Sequence, residues 1–400
     1  MFLNASGELG GAERSLLDIL ASIRHAEPSW TLHLVAAADG PLVAQASALG
    51  VGTSVLPFSA AFSTVGEAGG RLTRAGLLGL AVRLVGAAVP VAVYTSRLRA
   101  AIRAFAPHIV HTNSLKMHVF GAWAVPAGMP LVWHLHDYIG GRPFTERLLR
   151  WNAKRPAAIV ANSESVADDA RSTLGARVPV IPILNAVDLQ RFSCAGPRLD
   201  LDALAGLSPA GDLVRVGLLA TFGRWKGHTT FLDAIARLPP DLRVRAYIIG
   251  GPLYQTADSQ YTLDYLRGYA DALGLTGRVG FTGFVTNSEQ ALRALDIVVH
   301  ASTAPEPFGL VIAEAMACER AVIASDAGGA REIFTRGVDA LAHTPGSAGS
   351  LATRIAELAG NPDARLRMGR AGRQTAERRF DRRRLASDFV PLYQRVVSEA

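Results

Sequence analysis

Short runs of apolar, largely β-branched residues recur along this chain, and each is followed by a stretch with helical spacing of its apolar residues. Consecutive apolar positions in a short run are typical of strands that helices cover on both faces. Strands that alternate with helices indicate right-handed βαβ units and parallel sheets. The alternation therefore predicts an α/β protein. The ten runs span residues 31–37, 108–112, 131–137, 158–163, 178–184, 214–220, 244–250, 279–282, 296–300 and 321–326.

The alternation breaks between its two halves, and 400 residues are too many for one ordinary core. Residues 193–211 carry two prolines and three glycines and contain no strand-like run. Ligands in open α/β sheets bind outside the carboxyl ends of the strands, so two such sheets facing each other would form one cleft. We predict a first Rossmann-like domain over 1–195, a linker over 196–211, a second Rossmann-like domain over 212–380 and a C-terminal helix over 381–400 that packs back on the first domain.

Composition limits the class of partner. Hydrophobic residues make up 49% of the chain and charged residues 19%, which is a globular composition. The net charge of +7 suits phosphorylated substrates or an anionic membrane, but no basic run is interleaved with aromatic residues, so we predict no nucleic-acid partner. Cys194 and Cys318 lie in different halves, which argues against a disulfide framework and predicts a reducing, cytoplasmic location.

Residues 75–94 form the most apolar stretch, yet they contain Arg83, several glycines and Pro90. A spanning helix would bury that arginine at a cost of several kcal/mol, so we predict a soluble or interfacial helix instead. Two interpretations remain open. The segment is either a core helix with solvated arginines or a surface that attaches peripherally to an anionic membrane. The flanking arginines are Arg71, Arg74, Arg97, Arg99 and Arg103.

The strongest motif is PEPFGLVIAEAMA at 305–317, directly after the run at 296–300. The two prolines keep Glu306 in an extended loop, and a helix is predicted from Phe308 or Gly309 to Cys318. Free N–H groups at the start of that helix would bind an anion. A bare spacing between Glu306 and Glu314 would also fit two solvated acids, but the preceding strand and the motif favour a site that binds hydroxyl groups beside a phosphate.

Two further motifs follow strand ends in the second half. The sequence TFGRWKGH at 221–228 offers Arg224 and Lys226, whose charged side chains would hold a diphosphate. An ordinary basic loop is the alternative interpretation. The sequence DAGGARE at 326–332 carries paired glycines, which allow a backbone to approach a ligand closely.

Candidate residues also follow strand ends in the first half. Gly10 and Gly11 precede a helix and would let backbone amides approach a phosphate or a sugar. His134 and His136 share one face of a strand, but no third ligand has suitable spacing, so we predict no metal site. Structural histidines are the alternative to a histidine that donates to a sugar hydroxyl. Asn113, Lys116 and His118 are further candidates for an acceptor pocket.

Together these motifs resemble the retaining GT-B glycosyltransferases of family 4, and the resemblance covers nearly the whole chain. In the first half it rests on GGAE at 10–13, HTNSLK at 111–116, HD at 136–137 and ANSESV at 161–166. LNAVDLQRF at 184–192 is similar to the family's NGVD-x-x-RF element, with Ala186 in place of the usual glycine. In the second half it rests on WKGH at 225–228, EPFGLVIAEAMA at 306–317 and AGGARE at 327–332.

The resemblance implies a role for each candidate residue. Glu306 would contact hydroxyls of the transferred sugar, Glu314 would hold the ribose, and Lys226 would neutralise the diphosphate. His136 would contact the transferred sugar or lie near the acceptor. The main-chain amides that would face the donor are those of Gly10, Gly11, Phe308, Gly309 and Leu310. One departure is that the family often has an arginine five residues before the lysine, where this chain has Thr221, so Arg224 is the candidate replacement.

The implied activity is transfer of a sugar from a nucleoside-diphosphate sugar, UDP- or GDP-linked, to a glycan, lipid-linked or small-molecule acceptor. The configuration would be retained, and Lys226, Arg224 and a helix dipole would stabilise the leaving group without a metal or other cofactor. An epimerase or phosphorylase of the same fold and a non-catalytic sugar-nucleotide-binding protein are the alternatives. A dinucleotide-dependent oxidoreductase is disfavoured because no G-x-G-x-x-G follows any predicted strand.

Overall fold

The computed structural model describes residues 1–58, 74–175, 178–209, 211–252 and 259–400, and from 74 to 87 it describes the backbone alone. Contacts divide the chain into two compact units, which we call unit 1 and unit 2. Unit 1 comprises Met1–Leu184 and Arg383–Ala400, and unit 2 comprises Asn185–Arg382.

Within its described residues, unit 1 has a seven-stranded parallel sheet in the order β3-β2-β1-β4-β5-β6-β7. The strands are β1 Phe2–Asn4, β2 His33–Ala36, β3 Gly52–Val55, β4 Val110–Thr112, β5 Leu131–Leu135, β6 Ala158–Ala161 and β7 Val180–Pro182. The helices are α1 Gly11–Ala26, α2 Pro41–Ala48, α3 Arg74–Phe105, α4 Leu115–Ala124, α5 Pro143–Asn152 and α6 Glu164–Leu174.

Within its described residues, unit 2 has a six-stranded parallel sheet in the order β10-β9-β8-β11-β12-β13. The strands are β8 Val214–Leu219, β9 Val244–Ile249, β10 Val279–Gly283, β11 Ile297–His300, β12 Ala321–Ser325 and β13 Leu341–His343. The helices are α7 Leu201–Ala205, α8 His228–Ala236, α9 Leu263–Ala272, α10 Ser288–Arg293, α11 Leu310–Ala317, α12 Ala348–Ala359 and α13 Pro362–Arg379. Short 3-10 turns lie at Arg224–Lys226 and Gly329–Glu332.

The prediction of an α/β fold with two parallel sheets is confirmed, and each sheet has its own apolar core. The central strands are buried on consecutive positions, as in β11, where all four residues are buried. Residues on consecutive positions of such a strand can be buried only if helices cover both faces of the sheet. Each of the ten runs that the sequence predicted corresponds to a strand.

The division between the units differs from the predicted boundary at 196–211. Residues 185–195 were assigned to the first domain, but they belong to unit 2. Arg191 pairs with Glu289 at 2.9 Å, and the amide of Val187 donates to the carbonyl of Phe380. The buried Arg293 also donates to the carbonyl of Ser193. These contacts come from distant parts of the chain, so local composition gave no signal for them.

The C-terminal helix α14, Arg384–Ser398, belongs to unit 1, where it packs against α1. The hydroxyl of Ser22 on α1 donates to the carbonyl of Arg383 and accepts from the amide of Ala386. The apolar stretch predicted at 75–94 lies in α3. In the described part of the chain, no helix combines the length and the hydropathy that crossing a membrane requires.

Candidate active site

Glu306 lies in the loop after β11, at the carboxyl end of the unit 2 sheet. Cationic and polar groups hold its carboxylate from both sides: Lys226 Nζ donates to Oε1, and His300 Nε2 lies 2.6 Å from Oε2. The hydroxyl of Ser302 also donates to Oε2. Only 11% of the Glu306 side chain is exposed. The pairing that the sequence motifs implied, Lys226 beside Glu306, is therefore present within one unit.

Two opposing effects set the ionisation of Glu306. Burial raises the pKa of its carboxyl, but the Lys226 ammonium and His300 outweigh burial, so the pKa lies well below its usual range. The side chain is then a carboxylate at neutral pH, which only accepts hydrogen bonds. Such a group suits the hydroxyls of a sugar, and the adjacent Lys226 supplies positive charge for an anion.

Close backbone packing places Lys226 at this position. The next residue, Gly227, has φ 75°, and a Cβ there would lie 2.0 Å from the carbonyl oxygen of Ala301. The amide of Thr303 donates to the carbonyl of Trp225 at 2.8 Å. The basic turn is thus fastened to the segment that leads from β11 to Glu306, and only glycine fits at the point of contact.

The glycine-rich motif after β12 reaches the same loop. The amide of Gly329 donates to the carbonyl of Glu306 at 2.8 Å, and Gly328 pairs with Glu306 in an isolated parallel bridge. Gly309, with φ 99°, precedes α11, so the amide of Leu310 lies in the first helical turn, where amides have no helical carbonyl to bond. The three unit 2 motifs that the sequence singled out therefore converge around Glu306.

The remaining unit 2 candidates occupy different environments. The ring of Phe308 is buried, with its centroid 5.9 Å from that of Phe380, so only its main-chain amide is suited to a ligand. Glu314 lies on α11 and is 9% exposed. Arg224 is exposed, and its guanidinium carbon lies 4.7 Å from the ring centroid of Tyr261.

In unit 1, a chain of hydrogen bonds connects Gly10 to His136. The amide of Gly10 donates to Glu13 Oε2 at 3.0 Å, and Asn4 Nδ2 donates to Glu13 Oε1. Asn113 Nδ2 donates to Asn4 Oδ1, and His136 Nε2 lies 2.7 Å from Asn113 Oδ1. Three of the first-half candidates, Gly10, Asn113 and His136, are thus brought together at the carboxyl ends of β1, β4 and β5.

This network restricts what each group can offer to a ligand. The amide of Gly10 is already bonded to the Glu13 carboxylate. The next amide belongs to the exposed Gly11, the first residue of α1, and it has no helical carbonyl to bond. Asn113 Nδ2 also donates to the carbonyl of Ala12, which leaves Asn113 Oδ1 as an acceptor and assigns the proton of His136 to Nε2. Burial lowers the pKa of His136 to about 3, so its ring is neutral at neutral pH.

Sequence reasoning missed two residues of the unit 2 site. His300 was identified only as the end of a strand and Ser302 not at all, although both contact Glu306. They lie directly after a buried strand and before the PEPFG motif, and that position was the available signal. Tyr261, which lies against Arg224, had no local signal, because a segment distant in sequence brings it there.

The described ranges contain no group of three or more His, Cys, Asp or Glu side chains arranged to hold a metal ion. The Asp-Leu-Asp sequence at 200–202 has a structural role. Asp200 caps α7, and the buried Asp202 accepts from Arg245 at 2.7 Å and from Tyr247 at 2.6 Å.

Two known families match this chain, and together the two matches cover most of its length. The family described as "Glycosyltransferase Family 4" matches residues 9–191, and the family described as "Glycosyl transferases group 1" matches residues 210–375. The first match ends close to the start of unit 2, and the second lies within it.

Similar proteins include the 2-deoxystreptamine glucosyltransferase of Streptomyces kanamyceticus, 29% identical over 64% of this chain and 65% of that protein. The lipopolysaccharide core biosynthesis glycosyltransferase LpsE of Rhizobium meliloti is 28% identical over 58% of this chain and 63% of that protein. The alignments thus span less than two thirds of the length of these two relatives.

Among solved structures, Anabaena Alr3699/HepE in complex with UDP-glucose superposes with a TM-score of 0.78 and 28% identity, covering 98% of each chain. Sucrose-phosphate synthase from Thermosynechococcus elongatus, at 20% identity and a TM-score of 0.76, shares the fold. The two parallel sheets, the motifs around Glu306 and both family matches all indicate the same family. This chain belongs to the GT-B glycosyltransferases of the family 4 type.

Proposed function

We propose that this protein transfers a sugar from a nucleoside-diphosphate sugar to a glycan, lipid-linked or small-molecule acceptor, with retention of configuration and without a metal ion. The observation that carries the proposal is the Glu306 carboxylate, held between Lys226 and His300 at the carboxyl end of the unit 2 sheet. A UDP sugar is the first candidate donor, because the similar HepE was solved with UDP and with UDP-glucose. A GDP sugar is the second.

The proposed chemistry follows from the charges at the site. Departure of a nucleoside diphosphate develops negative charge, and Lys226, the first-turn amides of α11 and the exposed Arg224 supply fixed positive charge and dipoles for it. Glu306, already ionised, would accept hydrogen bonds from hydroxyls of the transferred sugar. Glu314 would hold the ribose.

Donor identity is tested by thermal unfolding with a panel of UDP- and GDP-sugars. A ligand that binds the native state stabilises it by RT ln(1 + [L]/Kd), or about 2.7 kcal/mol at a hundred times Kd. We expect a UDP sugar to give the largest rise in melting temperature. If no nucleotide sugar shifts the transition, the proposed function fails.

The role of Glu306 is tested by Glu306→Ala and the isosteric Glu306→Gln. We expect Glu306→Ala to abolish transfer with the fold intact, and Glu306→Gln to lower kcat by roughly a hundredfold or more, since the fixed charge acts on the reacting sugar. Glu314→Gln should instead raise the KM for the donor. Circular dichroism checks the fold, and near-normal turnover in Glu306→Ala would contradict the role.

Product analysis separates this function from its alternatives. Proton NMR of the new glycosidic linkage reports its configuration, and turnover in excess EDTA reports any metal requirement. We expect retention, and equal rates with and without EDTA. Consumption of the donor without an added acceptor would favour an epimerase. Nucleotide-sugar binding with no turnover would indicate a binding protein.

We also propose that the protein works in the cytoplasm, with peripheral attachment to the inner face of the membrane as part of its function. The positive net charge is compatible with an anionic surface. The segment at 75–94, for which the sequence left open a core helix or a membrane surface, is described from 75 to 87 by its backbone alone, and Arg71 lies outside the described residues.

A further inference from the structure

Helix α5 of unit 1 exposes large apolar side chains to solvent. Trp151 is 83% exposed and Phe144 is 46% exposed. Together with the half-buried Leu148 they occupy positions i, i+4 and i+7, which lie on one face of a helix. Leu149 is fully buried in the unit 1 core. Leu148 also packs against that core, so the helix is anchored through both leucines and exposes the rings of Phe144 and Trp151.

The same face is cationic. Residues 142–155 contain five basic residues and one acidic residue, Glu146, which Arg150 pairs at 2.8 Å. Arg147 lies between the two aromatic rings along the helix, and Lys154 follows Trp151 by three residues. Both are exposed, and neither has a hydrogen bond or ion pair with a described residue. Two aromatic rings are thus set among basic groups that have no acidic partner in the described chain.

We propose that this face of α5 docks the protein on an anionic lipid surface. We call it the α5 face, and it consists of Phe144, Arg147, Leu148, Trp151 and Lys154. A tryptophan combines an apolar body with an N–H donor, which suits the headgroup level of a bilayer. Long basic side chains lay their aliphatic stems along the apolar region while their charges reach lipid phosphates.

The small size of the apolar stripe favours lipid over a protein partner. Stable protein interfaces bury about 800 Å² on each partner around a packed apolar centre. Two exposed rings supply too little apolar surface for that centre. An interfacial helix, in contrast, needs only a few apolar side chains when cationic groups add attraction to anionic lipids.

The position of α5 connects this surface to the proposed acceptor side of unit 1. The helix follows β5 and the loop that begins with His136 and Asp137, and Arg142, directly before the helix, pairs with Asp137. Docking through α5 would bring that strand end close to the lipid surface, where a lipid-linked acceptor would be presented. The choice of a lipid-linked acceptor rests on the proposed glycosyl transfer, whereas the docking rests on the proposed membrane attachment and assigns it to α5.

The test uses the full chain and sedimentation with vesicles of phosphatidylcholine alone or mixed with phosphatidylglycerol. We expect binding to the mixed vesicles at low salt and little binding to phosphatidylcholine. The variants Phe144→Ser/Trp151→Ser and Arg147→Gln/Lys154→Gln should each weaken binding by roughly tenfold or more. A matched control is Leu366→Ser/Arg367→Gln, which alters an exposed apolar–basic pair on α13 and should bind as the wild type does.

A second measurement reports where the tryptophan lies. Lipids brominated near the headgroup should quench wild-type fluorescence, and Trp151→Phe should lose most of that quenching while binding of vesicles is kept. The proposal is overturned if Phe144→Ser/Trp151→Ser binds vesicles as well as the wild type does. It is also overturned if vesicles do not bind and that variant instead converts a dimer to a monomer in sedimentation velocity, because a second copy would then cover the face.

Stabilisation by UDP, measured on the same variants, separates the two proposals. Unchanged stabilisation together with lost vesicle binding supports α5 docking independently of the donor site. Vesicle docking through α5 in a protein that binds no nucleotide would retain this proposal and remove the proposed glycosyl transfer.

Discussion

At the scale of single residues, the unit 2 site depends on how one buried carboxylate is compensated. Burial of the Glu306 carboxylate raises its pKa, and the attraction of Lys226 and His300 lowers it. The attraction is the larger effect, so the pKa lies well below the usual range. This depressed pKa contributes stability above the unfolded value, about 4.3, and the contribution is lost as the pH falls through the folded value. The pair is therefore most stabilising at neutral pH.

Removal of Lys226 should reverse this balance. Lys226→Met removes the main charge that opposes the effect of burial on Glu306, so the pKa of Glu306 rises. We expect the variant to be less stable at pH 7 by up to about 3 kcal/mol. Because a raised folded pKa favours the protonated form, the deficit should shrink as the pH falls from 7 to 5. Urea unfolding at both pH values measures it, and Lys154→Met serves as the exposed control. An equal deficit at both pH values would argue against the pair.

Arg224 is held by an aromatic stack. Its guanidinium lies over Tyr261, whose ring stacks on Tyr265 with centroids 5.0 Å apart and an interplanar angle of 5°. The amide of Arg224 also donates to the carbonyl of Ser259 at 3.0 Å. Tyr261 is thus a positioning residue for the arginine that we propose to bind the diphosphate.

Replacement of Tyr261 should weaken donor binding without changing the chemistry. A cation–π contact contributes about 0.5–1 kcal/mol at an exposed site, so Tyr261→Leu should raise the KM for the donor about two- to fivefold with kcat retained. Tyr261→Phe keeps the ring and should behave as the wild type does. In a double-mutant cycle, Tyr261→Leu should add little to Arg224→Ala, because both remove the same interaction. Full additivity would show that Tyr261 acts through another group.

At the scale of elements, Gly227 determines where the basic turn lies. Gly227 and Gly337 both have φ 75°, but a Cβ at Gly227 would meet the carbonyl of Ala301, whereas nothing lies within 4 Å at Gly337. The free energy of unfolding of Gly337→Ala should be lower than that of the wild type by about 1–2 kcal/mol, the cost of a left-handed residue. Gly227→Ala should lower the free energy of unfolding by more than Gly337→Ala does. It should also raise the KM for the donor, because Lys226 must move with the turn. Denaturant unfolding and steady-state kinetics check both, and equal losses would contradict the packing argument.

The elements that sequence alone predicted are those buried on both faces of a sheet. The run at 296–300 and β11 agree within one residue, because four consecutive buried apolar positions leave a clear pattern. β3, with the sequence GTSV, was missed because this edge strand has no apolar run. β1 and β13 were also missed, because their sequences, FLN and LAH, contain no β-branched residue.

The candidate site, like the strands, could be predicted only in part from the sequence. Glu306, Lys226 and their neighbouring glycines were predictable because motifs at strand ends carry them. The contacts that set their properties, from His300 and from Ala301 behind Gly227, depend on how loops pack. No sequence period records that packing. Residues 185–195 illustrate it at larger scale, since contacts such as that between Arg191 and Glu289 group them with unit 2.

At the scale of the whole molecule, the two units differ in their buried histidines. Unit 1 holds five whose pKa burial lowers: His118 and His136, both to about 3, His111 and His134, both well below the usual value, and the half-buried His33. In unit 2, burial lowers the pKa of His228 to about 4 and also lowers the pKa of His343. Except for His33, the neutral histidines of unit 1 lie together, with the rings of His134 and His136 4.0 Å apart.

This difference predicts that unit 1 is the more acid-sensitive. A histidine with a depressed folded pKa binds its proton more readily in the unfolded chain, so stability is complete above about pH 6.5 and falls as the pH decreases toward the folded pKa. Each such histidine costs up to about 1.4 kcal/mol for every pH unit in that window. Five of them in unit 1, against two in unit 2, should make the free energy of unfolding of unit 1 fall more steeply between pH 6.5 and 5 than that of unit 2.

Tryptophan fluorescence can follow unit 1, because Trp30, Trp123, Trp133 and Trp151 lie there and Trp225 lies in unit 2. Urea unfolding between pH 7 and 5 should show a steep loss of stability in this signal. His134→Gln should lower the slope by the contribution of one proton, because it removes one group that must stay neutral in the fold. His108→Gln, at an exposed histidine, should leave the slope unchanged. A pH-independent transition would mean that the cluster takes up protons without unfolding, and therefore that burial does not hold these rings neutral.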